Sequence, residues 1–159
     1  MINIDHSAAS ELSKSGLTRF LNRAREAVGV HGDVDVLLAD DATLRSLNKT
    51  FRRKNKATDV LSFPAAENPY GHAGDLAISL DTAARQAAAF GHTLRDEVRI
   101  LLLHGLLHLS GMDHETDDGE MAGFEADLRR ELRLPVALIE RVSSAKPGAK
   151  QAAKRGRRA

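Results

Sequence analysis

Residues 104–114 read HGLLHLSGMDH, which places His104, His108 and His114 within eleven positions. An α-helix turns about 100° per residue, so His104 and His108 project from one face, a turn apart. Two imidazoles in that relation can share one metal ion. Gly111 follows three positions later, where a helix commonly ends on a glycine with positive φ. A chain that reverses there can return His114 to the same point. Three nitrogen ligands with an open fourth position describe a catalytic zinc site. The other histidines, His6, His31, His72 and His92, are scattered and are assigned no role.

The spacing resembles the H-x-x-x-H-x-x-G-x-x-H frame of the metzincin proteases. In that frame a glutamate follows the first histidine and acts as general base. Here the position is Gly105, which cannot take a proton. Zinc lowers the pKa of its water to about 7, so a metal cage without that carboxylate can still serve hydrolysis.

The flanking segments read as a mixture of helices and strands. Residues 10–29 space Leu12, Leu17, Phe20, Leu21, Ala24 and Val28 as one helical face, closed by Gly29. Val34, Val36 and Leu38 alternate with Asp33, Asp35 and Leu37, which predicts a strand. Asp40 or Asp41 is positioned to cap a helix through Arg52, with Leu44, Leu47 and Phe51 on one face. A polar turn leads to a strand, TDVLSFP, ended by Pro64. After the loop 65–73, residues 74–80 predict another strand. Asp81 is expected to cap a helix closed by Gly91, and Thr93 to open the long helix that carries His104 and His108. Its Val98, Leu101, Leu102 and Leu106 should face the core. Asp117 or Asp118 is expected to cap a last helix with Met121, Phe124, Leu128 and Leu132 as core positions. Regular βαβ alternation is not evident. The expectation is an α+β fold: a small mixed sheet packed with about five helices, the zinc site at the end of a central helix.

The 159 residues suit one domain with its own core. The absence of cysteine excludes disulfides and thiolate ligands and is compatible with a reducing cytoplasm. The N-terminus has no signal-peptide pattern. The longest strongly apolar run, Ile100 to Leu103, is far too short to cross a bilayer. The net charge of +1 conceals an uneven distribution: residues 1–145 hold 17 basic and 22 acidic groups, and six basic residues follow from Lys146 onward. We therefore divide the chain into a single domain, 1–142, and a basic, disordered tail, 143–159, readable as a solvated terminus or as an electrostatic arm for RNA.

Three blocks in order, LNKTFRRKNKATDVLSFP (47–64), GDLAIS (74–79) and HGLLHLSGMDH (104–114), resemble the YbeY family of bacterial endoribonucleases, or rRNA maturation factors. The resemblance spans about residues 33–132. It implies one Zn²⁺ held by His104, His108 and His114. It implies cleavage of single-stranded RNA in 16S rRNA 3′-end maturation and ribosome quality control. The implied partners are an rRNA precursor, the small ribosomal subunit and assembly factors in the cytoplasm, with no DNA and no membrane. The family's functional arginine, which follows an aromatic residue in L-N-x-x-[Tyr/Phe]-R, falls on Arg52. The chain departs from the family at Asn55, Ala57 and Met112, where Asp, Pro and Tyr are usual; no implied ligand is touched.

Residue chemistry is consistent with these roles. A guanidinium can fork onto two phosphate oxygens and stabilise charge building in a phosphodiester transition state; surface charge at a helix C-terminus is the plainer reading of Arg52. Arg53, Lys54 and Lys56 extend the basic cluster. Asp113 and Glu115 flank the third histidine and could orient it or act as bases. Asp59 and Ser62 could line the cleft. The rival readings are a zinc peptidase, disfavoured by Gly105, and a ribosome-assembly binding module with structural zinc, disfavoured by three ligands in place of four.

Overall fold

The computed structural model of the chain describes residues 1–66, 68–113 and 116–135. His114, Glu115 and the basic segment 143–159 lie outside the described residues, as does the last part of the expected domain. The described elements, in chain order, are β1 (Ile2–Ile4), a short 3-10 helix (Ser7–Glu11), α1 (Lys14–Val28), β2 (Asp33–Ala39), α2 (Asp41–Arg52), β3 (Val60–Pro64), β4 (His72–Ser79), α3 (Leu80–Phe90), α4 (Leu94–Leu109) and α5 (Glu120–Glu131). This is the expected α+β architecture of one small mixed sheet and five helices.

The sheet order is β1-β2-β4-β3. β1, β2 and β4 run parallel, and β3 pairs antiparallel to β4 at the edge. Strand alternation sorts the side chains between two faces. Val34, Val36, Leu38, Leu76 and Ile78 join Leu17, Phe20 and Leu21 of α1 and the apolar residues of α4 in the main core. On the other face Leu61 and Ala77 meet Leu44, with Leu37, Leu47 and Phe63 around them, beneath α2. From Val98 to Leu107 only Arg99 of α4 is not buried. A helix apolar on nearly every side belongs in the middle of a domain, and α4 is covered by α1, α3, α5, β3 and β4.

Several expected boundaries hold. Asp40 accepts a hydrogen bond from the Thr43 amide at 2.8 Å and caps α2. Thr93 does the same for α4 through the Asp96 amide. Others need correction. Residues before Lys14 form the 3-10 turn, not an extension of α1, because Ser13 accepts from the Gly16 amide and starts the helix there. Ser79, not Asp81, caps α3, and Asp81 is drawn instead to the Asp41 amide and to His6. α5 begins after Gly119, with Asp117 accepting from the Gly119 and Met121 amides. The three-residue β1 was not expected; with it, β1-α1-β2 becomes a parallel crossover unit.

The carboxylates at the C-terminal ends of β2 and β4 join these elements. Burial pushes the Asp41 carboxyl up, but hydrogen bonds from Ser79, Thr82 and Arg85 outweigh it and leave the group below its ordinary 3.8. The Asp41 amide and His6 hold Asp81 below that value too. Both pKa values are depressed by folding. Their stabilisation is therefore complete above the ordinary carboxylate range and is lost as pH falls through it. Asp41→Asn is expected to cost about 1–2 kcal/mol at neutral pH. It should also flatten the loss of stability below about pH 4; urea unfolding at several pH values measures both effects.

Candidate metal centre

α4 carries both described histidines of the motif near its C-terminal end. His104 is 5% exposed, while His108 is half-buried. Their rings meet edge to face with centroids 4.8 Å apart, and their Nε2 atoms are 3.2 Å apart. Zn–N bonds of about 2.0–2.1 Å at a tetrahedral angle would separate neighbouring nitrogens by about 3.3–3.4 Å. The observed spacing therefore fits two ligands of one ion. α4 ends at Leu109, and Gly111, at φ 101°, donates to the His108 carbonyl as the chain turns away. The helix end and the positive φ at Gly111 are as expected from the sequence; His114, beyond it, lies outside the described residues.

The carboxylate that orients His104 was not singled out from the sequence. Glu125, on α5, is 1% exposed, and its Oε2 accepts from His104 Nδ1 at 2.7 Å. A proton held at Nδ1 leaves Nε2 with its lone pair toward His108. The arrangement would suit a metal ligand, since metal-binding histidines are commonly held from behind by a carboxylate. It also accounts for the burial of a charged group, which needs a partner in an apolar surround. The signal was present: Glu125 falls on the Met121–Leu128 stripe of α5, where an apolar residue would be expected. Asp113, offered by the sequence with Glu115 as a group that could orient His114 or act as a base, uses its carbonyl to accept from the Thr116 and Asp117 amides at the turn into α5. Glu115 lies outside the described residues.

Gly105 has a packing reason. A Cβ there would stand 2.9 Å from Leu76 and 3.4 Å from Ser62 Oγ. Ser62, half-buried on β3, donates to the Gly105 carbonyl at 3.1 Å, so the helix lies directly on the sheet. The position where a metzincin holds its base is occupied by the sheet itself. Asp59, immediately before β3, accepts from the Val60 amide and from Gln86 on α3.

Arg52 is exposed at the last residue of α2, on the sheet face opposite α4, with the edge strand β3 between the two. Asn48, 3% exposed, reaches back from α2 to donate to the Lys56 carbonyl at 3.0 Å. That bond pins the basic turn that follows Arg52. Of the remaining histidines, His6 caps the 3-10 turn and pairs with Asp81, and His92 bonds the buried Glu97 at 2.6 Å. His72 bonds Asp75, and with Asp35 these residues bring three ligand atoms within 4.8 Å of one another. That group is remote in sequence from the motif, and Asp35 already holds the N-terminal ammonium at 3.3 Å.

Two substitutions test this arrangement. Glu125→Gln is expected to weaken zinc binding about 10- to 100-fold, read by calorimetry; unchanged affinity would make Glu125 a purely structural partner. Gly105→Glu is expected to destabilise the fold by about 3 kcal/mol or more, since a carboxylate would be buried without a partner, and to confer no peptidase activity. A stable, proteolytic variant would overturn the packing argument.

Comparison with known proteins agrees with the geometry. The family model described as endoribonuclease YbeY matches residues 2–133. A Koribacter versatilis protein named endoribonuclease YbeY is 56% identical over 92% of this chain and 93% of its own length. A Solibacter usitatus protein of the same name is 49% identical over 86% and 91%. The solution structure of TM1509 from Thermotoga maritima superposes with a TM-score of 0.57 at 29% identity, covering 83% of this chain and 89% of that one. With the family model spanning every described element and close relatives matching nearly end to end, the chain belongs to the YbeY family.

Proposed function

We propose that this chain is a zinc-dependent endoribonuclease that cuts single-stranded RNA in the cytoplasm. We further propose that it acts in 16S rRNA 3′-end maturation and ribosome quality control, with the small ribosomal subunit and assembly factors as partners. Family membership supports the substrate class. The observation that carries the chemistry is the buried Glu125–His104 hydrogen bond, which aims one imidazole nitrogen to within 3.2 Å of the next. In this reading His104, His108 and His114 hold the ion and Arg52 is the catalytic residue that grips phosphate.

A bound divalent ion would supply Lewis acidity beside the scissile phosphate. The remaining work falls to side chains. Glu125 keeps His104 in one tautomer. Ser62 holds β3 against α4 and so fixes the wall beside the histidines. Arg52 offers two parallel N–H donors to phosphate oxygens and keeps its charge at every physiological pH. Because β3 stands between Arg52 and the histidines, a strand that meets both must cross the sheet edge. A flexible single strand can do so more readily than a stiff duplex. The peptidase reading is disfavoured by the packing at Gly105.

Incubating the zinc-loaded chain with single-stranded RNA, duplex RNA and an unfolded protein separates these readings. The expected result is cleavage of the single strand alone; proteolysis without RNA cleavage would overturn the proposal. Arg52→Lys should lower RNA cleavage on the order of 10²-fold with zinc content unchanged. Wild-type turnover in that variant would reduce Arg52 to a surface charge.

A further inference from the structure

Residues 42–58 carry six basic side chains, Arg45, Lys49, Arg52, Arg53, Lys54 and Lys56, and no acidic one. The body around them is net negative, and no described carboxylate lies within ion-pair distance of any of the six. Among these cations stands a large aromatic ring that the fold leaves in solvent. Phe51 is 65% exposed. The sequence pattern placed it on the core face of α2 with Leu44 and Leu47. The structure instead sets it beyond the core, against Phe63 of the edge strand, with ring centroids 5.4 Å apart and planes at 65°. Such an edge-to-face contact favours one orientation of an aromatic ring. It does so here without covering Phe51.

The backbone beside it is fixed as well. Arg53 adopts the left-handed conformation, φ 59°, ψ 31°, at the C-cap of α2. Glycine is the usual residue there, because a Cβ is disfavoured in that region. This turn thus keeps a cation where helix termination alone would favour glycine. Asn48 clamps the far end of the same turn through Lys56. An oriented, exposed ring next to a pinned run of unpaired cations is the combination by which proteins bind single-stranded nucleic acid. Bases stack on the aromatic face while the cations meet the backbone. A protein partner would instead call for a wider apolar patch with few charges at its centre.

We propose that Phe51 is a base-stacking platform. A nucleobase of single-stranded RNA lies on its open face, and Arg53, Lys54 and Lys56 take the flanking phosphates. The proposal rests on the reading of the chain as an RNA nuclease and assigns a subsite to it. It also supplies a reason for single-strand preference, since a duplex hides its base faces.

The chain contains no tryptophan, so Phe51→Trp places a lone indole at the site, excited selectively at wavelengths where Tyr70 does not absorb. A short single-stranded oligoribonucleotide is expected to quench that indole saturably. An abasic oligomer with the same number of phosphates should bind and leave the emission nearly unchanged. In the full chain, Phe51→Ala should weaken binding of the base-bearing strand about tenfold and of the abasic strand less than about twofold. It should leave the slope of log K against log salt unchanged, because no cation is lost. Phe51→Tyr should restore the affinity. Equal losses for the two oligomers, or no quench, would overturn the proposal. So would equal quenching by an acidic peptide, which would assign the ring to a protein partner. Cleavage by the unmodified chain is followed in parallel. Cleavage without base-dependent binding removes the platform and leaves the nuclease reading; base-dependent quenching without cleavage does the reverse.

Discussion

Enclosure of α4 is the constraint on which the rest of the molecule depends. Strands lie on one side of it and helices on the others, so almost every side chain from Val98 to Leu107 is in the interior. The first of its two imidazoles, His104, is therefore set where solvent does not compete for its orientation. His104, fully inside, needs a hydrogen-bonding partner, and α5 provides Glu125. Gly105, on the side that meets the sheet, lets the helix approach Leu76 and Ser62 closely. One residue is thus small so that the next can be held still.

The opposite face of the sheet is thinner and does different work. α2 covers a minor core of Leu44, Leu61 and Ala77 and then delivers a concentrated positive charge at its end. That end is unusually well held for a charged segment: a left-handed cap at Arg53, a buried asparagine gripping Lys56 and an aromatic contact to β3. Backbone order at such a place reduces the entropy lost when a partner is bound. The fold separates a histidine pair anchored in the interior through His104 from a solvated cationic turn and sets the edge strand between them.

Local, periodic features were legible in the sequence. The alternation of Val34, Val36 and Leu38, the cap at Thr93, a cap at Asp40 or Asp41 (Asp40 in the structure) and the glycine turn at Gly111 all act over a few residues, and each was legible. Features that depend on long-range pairing were not. β1 is three residues long and is a strand only because β2 accepts it in parallel. Asp81 looked like a cap until the Asp41 amide and His6, distant in sequence, claimed it. Glu125 was hidden because it sits 21 residues from the histidine it serves, within a helix whose spacing signals only core. Phe51 satisfied helical periodicity yet lies past the end of what α2 can bury.

The bond between His104 and Glu125 joins α4 to a helix reached only after a turn rich in acids. Whatever the imidazole holds on its far side is consequently coupled to how well α5 is docked. Binding free energies linked in this way are reciprocal: an ion gripped more tightly when α5 is seated must seat α5 more firmly when it arrives. If an ion is held there, α5 would act as a latch whose hydrogen-exchange protection reports occupancy of the histidine pair.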